Sequence, residues 1–244
     1  MLDTLRQLGH SVLDLVYPPA CLHCHISLPA TVSPFNFCTD CLRDLTVDPH
    51  LTCPRCSSTV GPGTDTAKGC YRCRDHSFAF TSSQRLGPYD GKLRDAILRM
   101  KYLTGETLAE SLGLLWADTQ RERLLATQPQ LILPVPLHWT RRIRRGYNQS
   151  ASLAYSLAKS LQLPCKPSWV RLNRQTKEQT TLSATARRES VKGAFRLSRS
   201  ARVQGVRVLL IDDVLTTGAT ADAAAKAILQ GGAAQVTVAV LAHR

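Results

Sequence analysis

Four Cys-x2-Cys pairs crowd into residues 21–73, and no other feature of the 244-residue chain limits its folding so tightly. The pairs are Cys21/Cys24, Cys38/Cys41, Cys53/Cys56 and Cys70/Cys73, separated by 13, 11 and 13 residues. A Cys-x2-Cys turn aims two thiolates at one ion, and two such turns complete a tetrahedral four-sulfur shell. Eight ligands therefore suit two structural Zn2+ ions. The equal outer gaps favour a tandem grouping, Cys21/Cys24/Cys38/Cys41 then Cys53/Cys56/Cys70/Cys73, over an interleaved one. Iron–sulfur ligation, or a single iron held by four cysteines, uses the same residues and stays open on spacing alone. A redox dithiol would need one isolated pair with a lowered pKa. A full four-sulfur shell has no open position, so these metals are expected to staple a segment too small to bury a core of its own. His23 and His25 flank the first pair and are read as surface or supporting groups, and Cys165 as a lone thiol.

The setting expected for nine cysteines follows from what surrounds them. No run approaches the roughly 18 apolar residues of a spanning helix, so no membrane insertion is expected. Residues 1–17 carry Asp3, Arg6, His10 and Asp14, unlike a secretory signal. A cytoplasmic, reducing compartment is the expectation, and there thiols ligate metals more readily than they form disulfides. With 43% hydrophobic and 20% charged residues, the collagen-like and disordered classes are excluded.

Residues 2–17 read as an amphipathic helix on Leu2, Leu5, Leu8, Val12 and Leu15, ended by Pro18-Pro19. A shift in composition near 78–88 places a boundary there. Residues 1–80 are the leading helix and double zinc ribbon, and 81–244 an α/β domain. In the second part the pattern predicts helices over 91–102, 105–126 and 148–161, and strands over 131–135 and 168–172. A polar loop spans 173–193. A buried strand over 206–211, an alanine-rich helix over 219–230 stopped by Gly231-Gly232, and a strand over 235–241 complete the chain. Strand, helix, strand at this spacing is a βαβ unit, so the sheet should be mostly parallel and Rossmann-like.

The most informative stretch runs from Val208 to Thr220: an apolar strand, then Asp212-Asp213, then a hydroxyl-rich turn with Gly218, then a helix. At the carboxyl end of a parallel strand such groups face the crevice where open α/β sheets bind ligands. Backbone N–H groups, the hydroxyls of Thr216, Thr217 and Thr220, and a helix N-terminus together make a phosphate cradle. The carboxylates would accept hydrogen bonds from sugar hydroxyls or hold hydrated Mg2+. A plainer reading has the aspartates cap a turn and Thr217 or Thr220 cap the helix. Walker A and dinucleotide fingerprints are absent.

That stretch resembles the phosphoribosyl-pyrophosphate (PRPP) signature of type I phosphoribosyltransferases. With the two four-cysteine modules, and Val135-Pro136 ahead of Arg141-Arg142-Ile143-Arg144-Arg145-Gly146-Tyr147-Asn148-Gln149, the chain resembles the ComF family. That family joins a double zinc ribbon to a phosphoribosyltransferase-like domain and is linked to bacterial uptake or use of external DNA. The resemblance implies that Asp212 and Asp213 are the catalytic pair on the ribose hydroxyls. It places Val214 and Leu215, then Thr216, Thr217, Gly218, Ala219 and Thr220, around the 5′-phosphate, with Mg2+ accompanying PRPP. Leu137 and His138 match the pyrophosphate loop. Arg141, Arg142, Arg144, Arg145, Gly146, Asn148 and Gln149 form the family's own motif for pyrophosphate or a polyanion. Arg174, Thr176, Gln179 and Arg187 fall in a flexible hood loop. The implied partners are PRPP or a related phosphorylated sugar, single-stranded DNA, and a competence or helicase-like protein. No nucleobase-binding segment is identifiable.

Charge supports an anionic partner independently. The formal charge is +13, and residues 141–207 hold 16 Arg or Lys against Glu178 and Glu189, a local +14. Four arginines within about two helical turns match pyrophosphate oxygens, and the surplus exceeds the needs of one small ligand, which points to nucleic acid. Tyr147, Phe195 and Trp169 lie among these charges as candidates for stacking on bases. Two expectations result: a PRPP-binding protein of phosphoribosyltransferase type, or a non-catalytic single-stranded nucleic-acid-binding protein.

Overall fold

A computed structural model describes residues 19–29, 35–173 and 189–244. The helix expected over 2–17 and the hood residues Arg174, Thr176, Gln179 and Arg187 lie outside the described residues.

The cysteine-rich part contributes helix α1 (Thr39–Thr46) and a two-stranded antiparallel pair, β1 (Leu51–Thr52) and β2 (Thr59–Val60). Then come β3 (Ser82–Pro88), α2 (Gly91–Arg99), a 3-10 turn at Leu103–Gly105, α3 (Glu106–Thr119) and α4 (Arg121–Leu125). β4 (Leu131–Pro134) leads to α5 (Trp139–Arg145) and α6 (Gln149–Leu161), and β5 (Val170–Leu172) pairs antiparallel with β6 (Phe195–Leu197). β7 (Arg207–Leu215), α7 (Ala219–Gln230) and β8 (Gln235–His243) close the order. The main sheet is four-stranded and wholly parallel, in the order β3-β8-β7-β4.

The sheet is covered on both faces, as parallel sheets must be. Along β7, Leu209 and Ile211 join one cluster with α2, α3 and α6, while Val208 and Leu210 join the other with α7 and the β5–β6 pair. The period of two thus sends alternate residues into separate cores. Each fully buried Leu or Val contributes about 1.5–3 kcal/mol. The first cysteine module shares the α2 side, where Cys21, Phe37, Cys41 and Leu45 sit in the same cluster as Leu86 and Leu93. No helix among the described residues is long and apolar enough to cross a membrane.

Three departures from the sequence reading have a clear physical cause. The helix expected over 105–126 breaks at Gln120, whose backbone leaves the helical region and whose side-chain amide donates to the Leu86 carbonyl at 2.9 Å. Strand β3 has no apolar run to betray it, because it buries Ser83, Gln84 and Arg85. The charge of Arg85 is met by Asp48, itself buried, with Nε at 2.8 Å from Oδ2, and by the Ser57 carbonyl at 3.0 Å. Finally, β7 continues through the aspartates to Leu215, because β8 is long enough to pair Asp212 with Val240 and Leu215 with His243.

Candidate functional site

The strand-to-helix connections at the carboxyl edge of the sheet enclose a cavity of about 560 Å3. Its floor is the end of β7. Pairing with β4 stops at Pro134 opposite Ile211, so the Asp213 N–H lies beyond that ladder and donates to Asp212 Oδ1 at 2.9 Å. The Val214 N–H donates to Asp213 Oδ1 at 2.7 Å. Both carboxylates are then held by the first turn of α6. Ser150 Oγ donates to Asp212 Oδ1 at 2.9 Å, and Gln149 Nε2 to Asp213 Oδ2 at 3.3 Å. Lys101 Nζ, from beyond α2, stands 3.7 Å from Asp213 Oδ2. Burial and the adjacent Asp213 charge push the Asp212 carboxyl up to about 7, against the pull of its hydrogen bonds and of Lys101. Near neutrality an arriving cation can therefore displace this proton to solvent and pair with the carboxylate.

Around this floor stand two helix N-termini, those of α6 and α7, each carrying partial positive charge. Asn148 caps α6, accepting from the Ser150 N–H at 3.2 Å and donating to the Val135 carbonyl at 3.1 Å. Gly218 precedes α7 in the left-handed region, φ 74°, which a side-chain-bearing residue adopts at a cost. Thr216, Gly218, Ala219 and Thr220 line the cavity. Thr217 does not; its Oγ1 accepts from the Ala219 N–H at 3.4 Å and caps the helix. Val214 and Leu215 line the same wall.

The opposite wall is the turn after β4 and helix α5. Leu137 and His138 line the cavity, and His138 Nδ1 lies 2.8 Å from Thr140 Oγ1 at the start of α5. Arg141, Arg144 and Arg145, at helical spacing, face the cavity. Burial holds the Arg145 guanidinium below its ordinary value, with the Asp213 charge working against it. Arg145 Nε and Gln149 Oε1 are buried without a protein partner. Arg142 is outside the lining, on the other face of α5, beside exposed Trp139 (65%) and Ile143 (72%). Gly146 also stands outside it and ends α5 with φ 77°.

Several lining residues gave no signal in the sequence: Lys101, Ser150, Tyr89 and Arg244 reach the cavity only through the fold. Leu172, Val191 and Phe195 add an apolar wall. The stacking role expected for Tyr147 fails, because the ring is buried and its hydroxyl donates to the Met100 carbonyl. Trp169 packs against the α7-side core.

In the cysteine modules, the sulfurs of Cys21/Cys24/Cys38/Cys41 and of Cys53/Cys56/Cys70/Cys73 each lie within 4.8 Å of one another. Zinc–sulfur bonds of about 2.3 Å in a tetrahedron require sulfurs about 3.8 Å apart. The Cys24–Cys38 separation is 3.7 Å, Cys56–Cys70 is 3.6 Å and Cys53–Cys73 is 3.8 Å. The donor sets and their geometry support structural zinc in both modules, in the tandem grouping. Neither His23 nor His25 belongs to these clusters; the His23 carbonyl accepts from Arg99 at 2.7 Å. Burial pushes the Cys165 thiol up to about 12, which leaves it inert.

Comparison with known proteins agrees with this architecture. Residues 12–74 match the double zinc ribbon domain, and residues 147–244 the phosphoribosyl transferase domain. The chain is 32% identical over 227 residues to the DNA utilization protein YhgH of Escherichia coli, covering 92% of this chain and 96% of that protein. It is 32% identical over 223 residues to competence protein F of Haemophilus influenzae, covering 89% and 94%. Competence protein ComFC of Bacillus subtilis is 24% identical over 163 residues, covering 67% and 64%.

Proposed function

The chain belongs to the ComF family, and on that premise we propose that its cavity binds PRPP, or a related phosphorylated sugar, together with a divalent cation in the service of DNA uptake or utilization. One observation carries the reading. A single cavity sets the Asp212/Asp213 pair between an anion-ready turn and helix end on one side and three arginines on the other. A ligand with a polyol centre and phosphates at both ends matches that order of charges.

Each group then has a task its chemistry suits. Asp212 and Asp213 accept from the ribose hydroxyls. The Thr216–Thr220 turn offers N–H groups and hydroxyls to the 5′-phosphate, and α7 adds its dipole. Arg141, Arg144 and Arg145 meet the diphosphate with planar forks. Gln149 has its amide N–H on Asp213, so its free carbonyl oxygen suits a hydroxyl or a metal-bound water rather than a phosphate. Mg2+ suits this donor set, since it takes one or two carboxylates and keeps most of its waters; when bound it would neutralise diphosphate charge as that group departs. Calorimetry with PRPP and Mg2+ tests the reading. The parent should bind, and Asp212→Asn with Asp213→Asn should not; a parent that shows no heat of binding removes it.

A second reading adds nucleic acid on the outer face of α5. Trp139, Arg142 and Ile143 share one helix face, all exposed. An aromatic among arginines suits stacked bases and their phosphates. Labelled single-stranded DNA titrated across a salt series should bind with a steep salt slope, weakened by Trp139→Ala; affinity independent of salt contradicts it.

A further inference from the structure

The second cysteine module is tied to both flanks of the cavity. Phe78, five residues beyond Cys73, packs against the Cys53/Cys56/Cys70/Cys73 cluster. The Arg55 guanidinium lies 5.7 Å from the centre of its ring and donates to the Cys73 carbonyl at 3.1 Å, which fixes the ring to the module. Phe80 stacks on the same ring at 4.6 Å. The Phe78 ring also abuts Gly218: a Cβ added there would come within 2.8 Å of it. Next along the chain, the Ala79 N–H donates to Asp222 Oδ1, in the first turn of α7, at 2.6 Å. On the other flank, Ser58 Oγ stands 3.1 Å from His243 Nε2, and Arg72 donates at 3.2 Å to the carbonyl of Arg244, which lines the cavity. The bonds of the first module run elsewhere, to α2 through Arg99 to the His23 carbonyl and Lys92 to Asp44.

The Thr216–Thr220 turn needs such a backstop. Gly218 holds the left-handed conformation that shapes the turn, and the bond from the Ala219 N–H to Thr217 Oγ1 is long at 3.4 Å. We infer that Phe78 is a positioning residue: with Ala79 it carries the rigidity of the zinc-stapled second module to the turn and to the start of α7, so that anion affinity there is set from the ribbon. The inference rests on the reading that this turn receives the 5′-phosphate. It assigns the two modules different work, the first to core packing and the second to the site.

The test uses the full-length, zinc-loaded protein with ribose 5-phosphate as probe. Phe78→Ala should bind about tenfold more weakly than the parent, while metal analysis still finds both zinc equivalents. Leu45→Ala, a cavity in the core beside the first module, should lower the Tm yet bind as the parent does. Amide exchange over residues 216–222, read without ligand, should accelerate in Phe78→Ala and not in Leu45→Ala. If Phe78→Ala sheds zinc, Phe78→Leu, which retains most of the volume, replaces it and should show the same pattern in smaller degree. Unchanged exchange and unchanged affinity in the Phe78 variants overturn the inference. A parent that does not bind ribose 5-phosphate overturns the functional reading instead, and the exchange measurement still decides whether the module holds the turn.

Discussion

Replacing Asp212 by asparagine should stabilise the free protein while destroying its ligand site, and the gain should grow with pH. In the fold the Asp212 carboxyl is pushed from 3.8 up to about 7 by burial and by the Asp213 charge. Below the lower value both folded and unfolded chains hold the proton, and the group costs nothing. Between the two values the folded chain holds a proton that the unfolded chain has released. Stability therefore falls by about 1.4 kcal/mol per pH unit and levels off above the upper value, at a total of about 4 kcal/mol. Cysteine thiolates release zinc in acid, so the useful window is roughly pH 5.5 to 8.5. Across it the parent should lose about 2 kcal/mol relative to Asp212→Asn. For a chain of this size that is a gap in Tm widening by about 4–8 °C. Thermal unfolding of both proteins at fixed ionic strength, with zinc present, measures the gap. Protonation of the cysteine ligands affects both alike and cancels in the difference. A gap constant with pH, or one that widens toward acid, refutes the assignment of a proton to Asp212.

Other expectations follow from particular contacts. Arg85→Met strands the Asp48 carboxylate in the interior and should cost about 3–5 kcal/mol by urea unfolding, most of it recovered by adding Asp48→Asn; a neutral single variant would show that the pair is not buried as described. Cys56→Ser should leave one zinc per chain by metal analysis and expose the second module, and not the first, to protease; two retained zincs would contradict Cys56 as a ligand. Neutralising Arg141, Arg144 and Arg145 to Gln should abolish calorimetric binding of inorganic pyrophosphate. Arg142→Gln should spare that binding and lower the salt slope for single-stranded DNA by about one. Equal effects of the two sets on both ligands would refute the division of α5 into two faces.

Features written in short stretches of chain were legible without coordinates. The ligand spacing placed eight cysteines in two tetrads, because a Cys-x2-Cys turn has little freedom in where it sends its sulfurs. The apolar run before Asp212 and the alanine-rich segment closed by Gly231-Gly232 marked β7 and α7, because strand and helix periods are local properties. The polar strand β3 was invisible for the converse reason: Ser83, Gln84 and Arg85 are buried only because Asp48 and the Ser57 carbonyl, far away in the chain, meet the charge of Arg85. The continuation of β7 through the aspartates depended on the reach of β8.

The sequence by itself therefore determined the chemistry available to this protein: two thiolate shells, a carboxylate pair before a glycine turn, and an excess of arginine. Only the tertiary structure decided how that chemistry is shared out. It turned Arg141, Arg144 and Arg145 inward and Arg142 outward, brought Lys101 to Asp213, buried Tyr147, and set Phe78 against Gly218. Local pattern can specify which groups exist and which element carries them; which of them meet is settled by packing between segments distant in the chain, and no spacing along one segment encodes that.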